Sequence, residues 1–379
     1  MIRKEKTVRV IINRLIVGIL FGILCCVTWM NKINIILLSV LFFSCKEPEP
    51  SQVETICINF QEAKSIDLSM GSMIELETTD SSLLYDIARI LFFREKLFVL
   101  TREKVVVFDS KGKYLFNLSG TGQGPGEYTA FGNMFIKGEY IYVFDKMTKR
   151  VLCFDDNGKY LSAEKIPENT YPVSDVYPLA DGWFVGKNMF RGDHEHTPVG
   201  SVLDDKYGWI EGDNSRKVTT GLTSYDNFFQ YRDHILYWEM LCDTIFSIQE
   251  YKNMIPRYYV DFGAYAIPPY ERKNKDVYDL IDYTNRPENV NKTATYIRFV
   301  SEDEHNVHFM FAFRRKTPFV FYNKHNKTAN VYFFEDKNNE FIPALFACYH
   351  DKHVYLSVMS ETDMEKNPYL IVFDENVFK

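Results

Sequence analysis

Paired cysteines, a basic excess and nucleotide-binding loops are all missing from this 379-residue chain. Lys and Arg number 44 against 51 Asp and Glu, a net charge of −7, so no cationic surface invites nucleic acid. Seven cysteines occur, none in a C-x-x-C pair, which argues against zinc-ribbon or thioredoxin chemistry. Cys57, Cys153, Cys242 and Cys348 stand far apart, mostly in apolar runs where a small buried thiol is the common outcome. Low-complexity tracts are absent, and no spacing defends a Ser/His/Asp, H-E-x-x-H or paired-carboxylate arrangement. A site assembled from loops distant in sequence leaves no local spacing, so that last absence weighs little against an enzyme.

Aromatic residues are plentiful, with 25 Tyr and 31 Phe, and they fall in short runs with Val and Ile. Such runs suit strands covered on both faces. Two neighbouring stretches carry the same unit. Leu97–Leu100 leads to Lys104–Asp109, a turn and Tyr114-Leu115; Tyr140–Phe144 leads to Arg150–Asp155, a turn and Tyr160-Leu161. The segment FDSKGKYL at Phe108 returns as FDDNGKYL 46 residues later, with six of eight residues unchanged. A repeat of this length made only of strands predicts a propeller blade. Gly112 and Gly158 are expected in two-residue hairpin turns that need positive φ, with Asp109 and Asp155 accepting from turn N–H groups.

Further units are read as opening near residues 183, 235, 307 and 354, which with 97 and 141 gives six. The fourth unit is long, with an insertion from Phe262 to Arg298 and a short helix over Tyr270–Tyr283. The last unit ends at Lys379 with too few residues for four strands. Thr55–Phe60 or Ser72–Glu77 is therefore expected to pair with it and close the ring. The fold class expected is all-β, a six-bladed propeller over residues 55–379.

The first 44 residues read as a leader. Met30-Asn31-Lys32 forms an n-region, Ile33–Phe43 an apolar h-region, and Ser44-Cys45 a small residue before cysteine. This looks like a bacterial lipoprotein signal with Cys45 lipidated. The alternative to cleavage is an anchor that is never cleaved. The signal makes Met30 the expected initiator and residues 1–29 redundant, the alternative there being a further membrane segment from Leu15 to Met30. Residues 45–54 form a polar, Pro-containing tether. Removal of the leader leaves a net charge of −12, so the lipid rather than charge would hold the chain to a membrane.

Gly120-Thr121-Gly122-Gln123-Gly124-Pro125-Gly126-Glu127-Tyr128, following an FD..GK.L hairpin and a lipoprotein leader, resembles the six-bladed β-propeller lipoproteins of Bacteroides and relatives, themselves related to NHL-repeat propellers. The resemblance runs from about Ile56 to the C-terminus. It implies an extracytoplasmic propeller in the envelope of a Gram-negative bacterium, with anchoring in the outer membrane and exposure at the surface as the expectations; it implies no reaction. The glycine spacing misses G-x-G-x-x-G and suits a tight crossover between blades.

The function expected is a binding module for a glycan, peptide or protein partner, with a propeller lyase or hydrolase as the alternative. Glu127 and Tyr128 are candidate ligand contacts at the channel mouth. His194 and His196, facing one way on an extended segment, are candidate metal ligands. No cofactor is expected; a divalent metal in the axial channel is the alternative.

Overall fold

The computed structural model describes residues 53–101, 103–165, 173–179, 182–188, 227–232, 234–238, 241–249, 253–272, 277–335, 346–359 and 365–379. The lipidation candidate Cys45 and the candidates His194 and His196 lie outside them.

Three strands come first: β1 (Glu54–Cys57), β2 (Lys64–Asp67) and β3 (Ser72–Glu75). The first blade is the antiparallel meander β4 (Arg89–Phe93), β5 (Lys96–Leu100), β6 (Val105–Asp109) and β7 (Tyr114–Asn117). The second is β8 (Phe131–Lys137), β9 (Tyr140–Asp145), β10 (Arg150–Phe154) and β11 (Tyr160–Lys165). A two-stranded sheet follows, β12 (Val173–Leu179) with β13 (Gly182–Asn188). The third blade comprises β14 (Phe228–Tyr231), β15 (His234–Trp238), β16 (Thr244–Gln249) and β17 (Asn253–Asp261). Helices α1 (Pro269–Arg272) and α2 (Val277–Asn285) lead to the fourth, β18 (Ala294–Glu302), β19 (Asn306–Phe313), β20 (Phe319–Asn323) and β21 (Thr328–Glu335). The fifth is β22 (Phe346–His350), β23 (His353–Val358) and β24 (Tyr369–Asp374).

The expected count of six is corrected: the described residues build five blades, and the unit read at Trp183 is the hairpin β12–β13. Its Val176 and Tyr177 join a single core shared by the second and third blades. The expected helix is also corrected to the two short helices α1 and α2.

Ring closure follows the expectation. β3 pairs antiparallel with β24 and completes the fifth blade, and β22 lies beside β4. β1 and β2 go further, adding parallel to the outer edges of the third and fourth blades, at β17 and β21. The N-terminal segment thus straps three consecutive blades and covers edges that would otherwise present unpaired N–H and C=O groups.

Continuous apolar runs became second and third strands because both their faces meet neighbouring blades. Phe98, Phe108, Phe144 and Phe154 are wholly buried. Burying each contributes about 2–3 kcal/mol, well above the tenths that strand propensity supplies.

The repeated turn does a second job. It is a three-residue loop with a bulge rather than the two-residue hairpin expected: Gly112 N–H donates to Asp109 O at 3.0 Å, and Gly112 has φ +85°. Asp109 Oδ1 accepts from Lys111 and Lys113 N–H, and Asp155 Oδ1 from Asn157 and Lys159 N–H. Each turn docks on the preceding blade, Gly112 against Glu75 of β3 and Gly158 against Phe116 of β7.

Candidate functional site

A cavity of about 450 Å³ opens on the axis, lined from the five innermost strands and from Tyr177 of β12. The lining lies towards the C-terminal ends of the innermost strands: Leu91 and Phe92 of β4, Ile136 of β8, Gln230 of β14, Ser301 of β18, and Tyr349 and His350 of β22. This size suits a small ligand or one end of a larger one.

Its floor is polar and buried. Arg89 opens β4 and reaches across the axis, its Nη1 donating to Asn133 Oδ1 at 2.6 Å and its Nη2 to Phe228 O at 3.3 Å. Asn133 Nδ2 donates to Val176 O at 3.4 Å, so strands of three sheets meet at one guanidinium and a fourth, β12, is joined through Asn133. Its rim is exposed: Gln230, Arg232 and His350. Arg232 takes φ +53° in the β14–β15 turn and lies over the Tyr231 ring. Its Nη2 stands 3.5 Å from Glu304 Oε1, with both side chains mostly in water, so the pair adds little stability.

The walls are aromatic. Phe92 stacks on His350 with ring centres 4.3 Å apart and planes 5° apart. Burial lowers the His350 pKa, which keeps that ring neutral at pH 7. Phe299 enters from β18 with φ +54°, a strained geometry for a bulky residue, beside two irregularities in the β18–β19 register. Such strain and bulging re-aim side chains and gather at functional sites. Among the described residues no carboxylate lines the cavity, and the permanent charges of that lining are those of Arg89 and Arg232.

Behind the wall sits a buried cluster that locks the third blade to the fourth. Glu302 accepts from Arg257 Nη2 at 2.6 Å, Tyr258 Oη at 2.9 Å and Lys324 Nζ at 3.0 Å, and His234 Nε2 lies 3.7 Å away. Burial alone would raise its pKa, but hydrogen bonds from His234, Arg257 and Lys324 hold it at about 2.

The candidates from sequence fall elsewhere. Glu127 Oε2 accepts from Gly124 N–H at 2.8 Å and sits where a Cβ on Gly122 would be, so it shapes the glycine-rich crossover. Tyr128 is buried between the first and second blades, and burial pushes its hydroxyl up to about 12. Neither lines the axial cavity. Among the described residues no group of three or more His, Cys, Asp or Glu is placed to hold a metal. None of the four described cysteines is in a disulfide. Among the described residues no helix is long and apolar enough to cross a membrane.

Arg89, Phe92, Arg232, Ser301 and His350 were missed because they sit on or beside innermost strands that sequence reading skipped. The runs read as unit openings are second strands of their sheets: β5, β9, β13, β15, β19 and β23. The signal available was a short polar-aromatic strand about ten residues ahead of each opening.

Residues 60–376 match the model of a domain of unknown function, DUF4934. The chain belongs to the DUF4934 family. Among solved structures, this DUF4934 chain is similar to an exported protein of Bacteroides fragilis, BF0058, at 16% identity and TM-score 0.65, covering 85% of this chain and 99% of that one. It is also similar to a DUF4221 member from Bacteroides vulgatus, at 11% identity and TM-score 0.50, covering 80% and 96%. At these identities the likeness speaks to the propeller fold. No curated protein matches the chain significantly.

Proposed function

We propose that this protein is an exported binding module that receives an anionic ligand in its axial cavity. The observation that carries the reading is the sign of the described lining: arginines at floor and rim and, among the described residues, no carboxylate, in a chain whose net charge is −7. A local cationic funnel in an acidic protein concentrates anions at one place and repels them elsewhere. The Phe92–His350 stack and Phe299 offer flat apolar faces, so the ligand pairs a carboxylate or sulfate with a ring. An acidic oligosaccharide fits this chemistry, with an acidic peptide end as the other member of the class.

Export is supported by the leader-like segment up to Cys45 and by the exported Bacteroides relative of the same fold. Lipidation at Cys45 would hold the propeller at the envelope, and incorporation of a fatty-acid analogue into wild type but not Cys45→Ala reads this directly.

Calorimetric titration of an oligouronate against the mature chain tests the reading. Arg232→Glu is expected to weaken binding at least tenfold, about 1.4 kcal/mol, with the melting temperature unchanged. Equal binding of the oligouronate and its neutral counterpart would contradict an anion site.

A further inference from the structure

The wall of the cavity carries a second chemistry. Ser301 lines the cavity from β18, and His308 stands opposite it in the β18–β19 register. Ser301 Oγ and His308 Nδ1 are 3.4 Å apart, and on the far side of the ring His308 Nε2 lies 3.8 Å from Asp303 Oδ2. The Asp303 carboxylate is itself fixed, its Oδ1 accepting from the N–H groups of His305 at 2.6 Å and Asn306 at 2.7 Å. Tyr349 stacks on the imidazole at 3.9 Å and is anchored through its hydroxyl to Glu375 Oε2 at 2.7 Å.

We propose that Ser301, His308 and Asp303 form a nucleophile, base and positioning carboxylate for hydrolysis of an ester on an acidic ligand bound in the axial cavity. A hydroxyl, an imidazole and a carboxylate in series is the arrangement that activates serine, and resting structures hold such contacts looser than the reacting complex. A purely structural account fares worse. His308 is wholly buried, and its Nε2 makes no hydrogen bond among the described residues. An apolar side chain would fill that place without leaving a polar atom unsatisfied. Burial lowers the imidazole pKa to about 4 despite the opposing charges of Asp303 and Glu375, so at pH 7 the ring is neutral and carries a free nitrogen lone pair, as a weaker base than an ordinary histidine.

The step balances with water as the only co-reactant. Ser301 Oγ bonds to the acyl carbon while its proton passes to His308 Nδ1. The ester C–O bond breaks, and that proton leaves with the alcohol. Water then attacks the acyl-serine by the same route, releasing the acid and restoring the hydroxyl. Asp303 touches no reacting atom; it orients Nε2–H and steadies the imidazolium.

This inference rests on ligand entry to the same cavity, and its test separates the two. The full mature chain is treated with a fluorophosphonate probe and the adduct located by peptide mass spectrometry. One adduct on Ser301 is expected, lost in Ser301→Ala and slowed at least tenfold in His308→Gln. Asp303→Asn should lower the maximal labelling rate without moving the probe concentration at half-rate, which a merely structural role would not do. Release of 4-nitrophenol from its acetate should follow the same order. No adduct on wild type, or equal labelling in Ser301→Ala, overturns the proposal; should His308→Gln fail to fold, the wild-type adduct position still decides. Oligouronate titration of the wild-type chain separates the two, because binding without labelling sinks the hydrolase alone. Labelling without oligouronate binding sinks only the anion site.

Discussion

Glu302 shows how a single residue sets the pH range of this fold. Its folded pKa of about 2 lies below the ordinary 4.5, so its contribution is complete above pH 4.5 and is lost as pH falls from there to about 2. The shift corresponds to about 3 kcal/mol. His308 acts in the window above. Its folded pKa of about 4 lies below 6.5, so the unfolded chain protonates first and stability declines as pH falls from 6.5 to 4. Melting temperature should therefore fall in two stretches below pH 6.5, and Glu302→Gln should shrink the lower one, leaving the part due to Asp145, Asp303 and Glu375, which are also held below their ordinary range. That variant should also cost about 3–5 kcal/mol at pH 7, because Arg257 and Lys324 lose their buried partner; a profile parallel to wild type would refute this reading. Gly112 and Gly158 are decisive in another way. Both have positive φ, and an added Cβ would come within 2.1 Å of Glu75 O or 2.6 Å of the Phe116 ring. Gly112→Val and Gly158→Val should each destabilise by about 2–3 kcal/mol or more, read as melting temperature. Unchanged midpoints would show that the turns do not lock adjacent blades.

At the scale of elements, what could be read from sequence depended on burial. Second and third strands such as Leu97–Leu100 and Val105–Phe108 are covered on both faces and stand out as apolar runs. Innermost strands carry Arg89, Asn133 and His350, whose polar groups meet across the axis or face the cavity, so polar residues begin, break or end their apolar runs. The site was therefore hidden where the strands were hidden. His308 lies in the apolar run read at Val307, but it could not be joined to Ser301 because the facing strand β18 was not read as a strand. The closing strand was legible for a negative reason, the shortfall of residues before Lys379. That strap gives a sharp test. A chain beginning at Ser81 lacks β1, β2 and β3, leaving β24, β17 and β21 as open edges. It should aggregate, whereas one beginning at Ser51 should be soluble; equal solubility and stability would remove the strap from the account.

For the whole molecule, five blades and the β12–β13 hairpin converge on one axis, and the chemistry collects there. Buried charge fixes the scaffold at Arg89 and Glu302, while Arg232, Gln230 and His350 remain at the rim. On the proposed reading, this acidic body uses its cationic funnel to hold an anion on the axis. The most direct measurement is a crystal structure of the mature chain grown with an oligouronate. The acidic group should lie against Arg232 with a sugar ring over the Phe92–His350 stack. Ligand density only on the outer blade edges, with the axial cavity empty, would contradict the account.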